Sequence, residues 1–133
     1  VSGLGAIDYK RIYDNSAIKD QIRGRASYSS LKDTLSDDKD GRKVAVAATI
    51  VEIEEKKFTS KKTGEQETFC KLTLQQNNDM GELVIWPEEY RNARGLLQGA
   101  KNKLILCMAL CRYSEYIGHN NLQMTRNNLI EII

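Results

Sequence analysis

Four lysines, Lys56, Lys57, Lys61 and Lys62, crowd around Phe58 in the stretch "KKFTSKKTGEQE". Forty-odd residues later "CRYSEYIGHNN" brings together Arg112, Tyr113 and Tyr116, followed by His119 and two asparagines. Between the two groups, "TFCKLTL" sets Phe69 two residues before Lys71. Ammonium and guanidinium groups neutralise phosphates, and flat aromatic rings stack on bases with little regard for sequence. Basic and aromatic residues in alternation are therefore equipment for gripping a single-stranded nucleic acid. Other chemistries find little to work with. One histidine has no partner for a nucleophilic triad, and no glycine-rich phosphate loop is present. One His and three Cys at these spacings do not build a zinc site. The expectation is a segment with no catalytic residues, no metal site and no cofactor.

Residues of this kind need a scaffold, and composition permits one. At 133 residues, with 41% hydrophobic and 29% charged residues, the chain is long enough for a core without metals or disulfides. Cys70, Cys107 and Cys111 make an odd set without a CxxC pair, read as reduced, buried thiols in a cytoplasmic setting. The longest apolar run, Leu104 to Cys111, is far short of the roughly 20 residues of a membrane helix, so no membrane partner is expected. The chain opens on Val1 rather than Met, and is read as a piece of a longer protein. Net charge is +2: nine basic residues face seven acidic ones over 1–43, seven face nine over 44–100, and four face two over 101–133. Bulk charge does not announce a nucleic acid; placement must carry that case.

The first 40 residues are polar, with helix-starting signals at Asn15 or Ser16 and at Ser29 or Ser30, and a turn at Asp40-Gly41. They are read as an N-terminal arm or linker with short helices (1–40), ahead of a domain spanning 41–133. From Arg42 the apolar period becomes two. Val44, Val46, Ala48 and Ile50 share one side, then Val51 and Ile53 take over, a parity slip that marks a bulge. "TFCKLTLQQ" points Cys70, Leu72 and Leu74 inward and Phe69, Lys71 and Thr73 outward. "GELVIWP" is a third strand after a turn around Asn77–Gly81, and "PEEYRNARGLL" a helix with Pro87 at its start. "KNKLILCMALCRYSEYI" is a fourth strand, apolar on both faces, and a fifth lies near Leu122–Thr125 with room for a short one after it. Three strands, a helix and two strands is the order of a mainly β, five-stranded Greek-key OB-fold barrel.

OB-folds bind single strands across strands two and three, between the loops joining strands one to two and four to five. Lys56, Lys57, Phe58, Lys61 and Lys62 fall in the first loop, Phe69 and Lys71 on strand two, and Arg112, Tyr113 and Tyr116 at the second loop. Plainer roles stay open. Glu54, Glu55, Glu65 and Glu67 balance the lysines of a solvated hairpin. The two tyrosines fit as covers of the barrel mouth, and Phe69 as a contact to a neighbouring domain. Trp86, at the strand–helix junction, is read as a core-packing residue because it stands beside the helix start, while strand parity, opposite to Leu83 and Ile85, keeps a stacking role open.

Taken in order, Ser30–Leu35, Gly41, Val44/Val46, Lys61-Lys62-Thr63-Gly64, Phe69/Leu72/Leu74, Gly81 to Pro87, Tyr90 and Leu96-Leu97 resemble the OB-fold region of the alpha subunit of bacterial replicative DNA polymerase III. The resemblance covers roughly residues 30–112. It departs at Ala47-Ala48, at Gln76-Asn77 and at Trp86, where that family carries a glycine, an acidic residue and a phenylalanine. It implies a non-catalytic module that holds template single-stranded DNA and contacts other domains or subunits of the polymerase. The parent chain would be a DNA-directed DNA polymerase, with its metal-binding aspartates elsewhere. The alternatives are a protein–protein adaptor within a replication complex and a tRNA anticodon-binding domain.

Overall fold

A computed structural model of the chain describes residues 8–35, 40–114, 118–125 and 130–133, with the side chains of Ser114 and His119 left aside. Its backbone is a barrel wound from one long strand. β2 (Lys43–Thr59) pairs through its first half with β5 (Leu104–Ser114) and through its second half with β3 (Gln66–Gln76). Thr49 sits at the handover, opposite both Gln75 and Leu104. β3 pairs with β4 (Asp79–Ile85), β4 runs parallel to β6 (His119–Met124), and β6 returns antiparallel to β5, which closes the ring. β1 (Ser27–Tyr28) and β7 (Ile130–Ile132) are short additions to β2 and β5.

One long strand serves two neighbours because it changes direction midway. The register of β2 against β3 shifts between Ile50 and Glu52, where the apolar parity slips. A bulge bends a strand and increases its twist, so one strand turns the corner between two parts of the barrel. Inside lie Val46, Ile50, Leu72, Leu74, Leu83, Ile85, Ile105 and Leu122, each with at most 2% exposure. Cys70, Cys107 and Cys111 are buried among them, none in a disulfide. Desolvation of the thiolate pushes Cys70 up to about 11 and Cys107 up to about 12. Both are therefore protonated, weakly reactive packing groups.

Helix α4 (Pro87–Leu97) plugs one end of the barrel with Tyr90, Ala93 and Leu97, a single face at helical spacing. Pro87 starts it where no helical N–H is needed, Glu88 and Glu89 occupy its first turn, and Arg94 its last. The turn before β4 is tighter than the sequence indicates. It is made by Asn77 and Asn78, with Asn77 at φ 56°, and Gly81 lies inside the strand. Gly81 is there for space: a Cβ on it would meet Leu31 Cδ1 at 2.8 Å.

Three short helices precede the barrel: α1 (Tyr9–Asp14), α2 (Ile18–Ile22) and α3 (Leu31–Thr34). The Ser30 hydroxyl caps α3 by accepting from the Asp33 N–H. Tyr9, Tyr13, Ile18 and Ile22 bury themselves against the outward side chains Ala45, Ala47, Leu106 and Met108. That second cluster explains why β5 is apolar on both faces: one faces the barrel interior, the other the helices. Gln76 ties the layers together. Its Oε1 accepts from the Leu31 N–H at 3.1 Å, and its Nε2 donates to the Ala47 carbonyl at 2.9 Å and the Tyr28 hydroxyl at 3.3 Å. No helix among the described residues is long and apolar enough to cross a membrane.

Candidate nucleic-acid interface

Among the described residues, no such helical layer covers the outer face of β3 and β4. Since Cys70, Leu72 and Leu74 point into the barrel, Phe69, Lys71 and Thr73 point out of it. Cys70 pairs with Ile85 and Lys71 with Val84, which sets Trp86 across from Phe69. Lys56 pairs with Phe69 on the other flank, bringing Phe58 to its diagonal. Three rings, from β2, β3 and the residue that follows β4, meet as a result. Phe69 and Trp86 have centroids 5.3 Å apart, tilted by 36°; Phe58 stands edge-on to Phe69 at 5.7 Å and to Trp86 at 6.5 Å. Trp86 stays 39% exposed, and the two phenylalanines are half-buried. The Trp86 Nε1–H donates to Gln123 Oε1 of β6 at 3.3 Å, which fixes the plane of the indole.

Trp86 is thus a surface residue, not the core-packing residue assigned to it from sequence. Its position beside a helix start argued for burial, but strand parity, opposite to Leu83 and Ile85, already set it outside. The helix is anchored by Tyr90 instead. Its hydroxyl donates to Glu55 Oε1 at 2.7 Å, and burial, together with that carboxylate, raises the phenol pKa.

The charged residues divide into four settings. Lys71 is engaged, with its Nζ 2.9 Å from Glu82 Oε2 and 3.8 Å from Glu54 Oε1, and Lys56 reaches Glu54 at 4.0 Å. The hydrogen bond to Glu82 raises the Lys71 pKa, so the ammonium stays charged. Lys57 follows the opposite parity to Phe58 and pairs with Thr68, away from the rings. Lys61 and Lys62 sit exposed in the turn between β2 and β3, without an ion pair to a described carboxylate. Arg112 and Tyr113 lie exposed near the end of β5 and pair with Asn121 and Asn120. The Tyr113 N–H donates to Asp40 Oδ1 at 2.9 Å. Tyr116 lies outside the described residues. The geometry brings Phe58, Phe69, Lys56 and Lys71 together with Trp86, and holds Arg112 and Tyr113 apart from them. Among the described residues no three His, Cys, Asp or Glu side chains are grouped to hold a metal ion.

Strand order and closure match a known architecture. The barrel is an OB-fold. The OB domain of Ta0387 from Thermoplasma acidophilum superposes with a TM-score of 0.58 at 13% identity, over 81% of this chain and 88% of that one. RecG bound to a three-way DNA junction gives 0.57 at 19% identity, over 80% of this chain, which spans 12% of RecG. A replication protein A heterotrimer bound to ssDNA gives 0.54 at 15% identity, over 80% of this chain and 24% of that one. Neither a protein-family model nor a curated protein matches the sequence.

Proposed function

We propose that this chain is a non-catalytic OB module that binds single-stranded nucleic acid across the open face of β3 and β4. The observation that carries the reading is the exposed cluster of Phe58, Phe69 and Trp86, built by β2, β3 and the residue that follows β4 on the open sheet face. Rings that hold one another in place present a stacking surface at small entropic cost, and each base stacked on such a ring is worth about 1–3 kcal/mol. Lys61 and Lys62, at the tip of the adjoining hairpin, and Lys56 beside the rings supply phosphate contacts. RecG and the replication protein A heterotrimer, each with one part of like fold, have been seen with DNA bound, which favours a nucleic-acid partner.

The finer reading is that the module belongs to a polymerase III alpha subunit, holds template ssDNA in the cytoplasm, and contacts other domains or subunits of the replicative polymerase. It rests on the motif order of residues 30–112. A second reading, a protein–protein adaptor, is favoured by the mixed charge of the same face, where Glu54 and Glu82 hold Lys71.

Fluorescence anisotropy with labelled oligo(dT) at low ionic strength separates the two. Salt-sensitive binding that weakens on charge reversal of Lys56, Lys57, Lys61 and Lys62 supports the module. Absence of binding at low salt leaves the adaptor. An RNA competitor that displaces the DNA on equal terms argues against a DNA-specific role.

A further inference from the structure

The outward row of side chains that contains the aromatic rings continues past Trp86. Trp86 meets Gln123 of β6, Gln123 pairs with Leu110 of β5, and Leu110 pairs with Lys43 at the start of β2. These four line one groove of about 410 Å³, with Met124, Thr125 and the carboxylate-bearing Glu89 in its wall. Lys43 is also shared with an adjoining cleft of about 670 Å³, where it stands with Arg25 and Arg42.

Local structure puts those three cations together. β1 runs parallel to β2, with Ser27 beside Val44, so Arg25 is carried up to the first residues of the barrel. Gly24 and Gly41, both lining the cleft, adopt φ of +80° and +83°, a left-handed turn that glycine makes without strain. Arg25, Arg42 and Lys43 are all exposed, and none forms an ion pair with a described carboxylate. Lys71, on the aromatic face, is neutralised by two glutamates. Besides Lys61 and Lys62 on the hairpin, a second group of uncommitted positive charge thus stands at the far end of the groove, away from the rings.

We propose that Arg25, Arg42 and Lys43 form a second, phosphate-binding site for the same nucleic-acid strand, reached from Trp86 along the Gln123–Leu110–Lys43 groove. The inference rests on the binding reading above and extends it beyond strands two and three. From β4 through β6 and β5 to β2 is three strand spacings, about 15 Å at about 4.8 Å each, a reach of a few nucleotides. A short oligonucleotide therefore fills the aromatic site alone, and a longer one engages both.

The test compares oligothymidylates of about 3 and about 18 nucleotides, a span that brackets the usual site of one OB-fold. Each is titrated into the intact chain and into the variant carrying Arg25→Gln, Arg42→Gln and Lys43→Gln. A matched urea midpoint for the variant establishes that it is folded, and Lys43→Gln alone serves if it is not. The short oligomer should bind the unaltered chain and the variant within about twofold. The long one should lose about tenfold at low salt, with a slope of log K against log salt shallower by about 2, three phosphates at about 0.7 each. With Lys43→Gln alone the slope should be shallower by about 0.7. Unchanged affinity and slope for the long oligomer overturn the second site while leaving the aromatic site standing. Equal losses for both lengths overturn its separateness. No binding of either length by the unaltered chain overturns the functional reading itself.

Discussion

Two outer faces of one barrel are treated in opposite ways. Over the middle of the β2–β5 pairing, the outward side chains are Ala45, Ala47, Leu106 and Met108, and helices α1 and α2 bury them completely. Over β3 and β4 the outward side chains are Phe69, Lys71, Thr73, Glu82, Val84 and Trp86, and of these only Val84 is buried. Alanines let a helix approach closely, and the leucine and methionine reward it with buried area. On the open face most apolar area is gathered into three rings that shield one another, with charges beside them. The interior is common to both, so the contrast lies wholly in what each strand turns outward. Apolar residues outward mark a face completed by the chain itself; rings among charges mark one left for a partner.

The largest effect that separates the faces is on stability. Ile22→Ala, in the covering layer and fully buried, should cost about 2–5 kcal/mol in urea unfolding, with short-oligonucleotide affinity unchanged. A stability loss under about 1 kcal/mol would mean that the layer is not an integral part of the fold. Alkali acts next, on the interior behind both faces. Cys70 and Cys107, raised from 9.0 to about 11 and about 12, favour the folded state fully below pH 9. Above it the unfolded chain releases protons that the folded one retains, so stability should fall from pH 9 toward 11, in one transition for both faces.

On the open face, Phe69→Ala should weaken oligonucleotide binding by about 1–3 kcal/mol, and move the urea midpoint less than Ile22→Ala does. If stability falls by more than affinity does, the rings are structural. The smallest change expected is from Glu82→Gln. It frees Lys71 from a partner at 2.9 Å, a half-exposed ion pair worth under about 1 kcal/mol, and should tighten binding about two- to threefold. Weaker binding would show that Glu82 is needed to hold Lys71 in place.

Much of this was legible in the residues. Period-two alternation gave the strands and their inward sides, the slip at Ile50–Val51 gave the bulge, and Pro87 gave the helix start. Phe69 and Lys71 were placed outward by parity alone. What stayed hidden depends on contacts distant in sequence. α1 has no strong sequence signal, and Tyr9 and Tyr13 are held by Ala45, Leu106 and their neighbours rather than by helix propensity. Gln76 reads as a departure from a family pattern until its amide is seen bonding to Leu31, Ala47 and Tyr28. Trp86 was misassigned because a rule about helix starts was set above the parity of its own strand. Register supplies the missing step: Ile85 pairs with Cys70, so Trp86 faces Phe69.

Trp86 is also the chain's only tryptophan, so its fluorescence reports the open face without a label. The most direct measurement is a titration of that emission with unlabelled oligo(dT) at low ionic strength, then back-titration with salt. Stacking of a base on the indole should quench the signal saturably, salt should restore it, and Phe69→Ala should shift the midpoint to higher oligonucleotide concentration. Emission that does not change while anisotropy reports binding would place the strand elsewhere on the barrel, and the aromatic platform would not be the site.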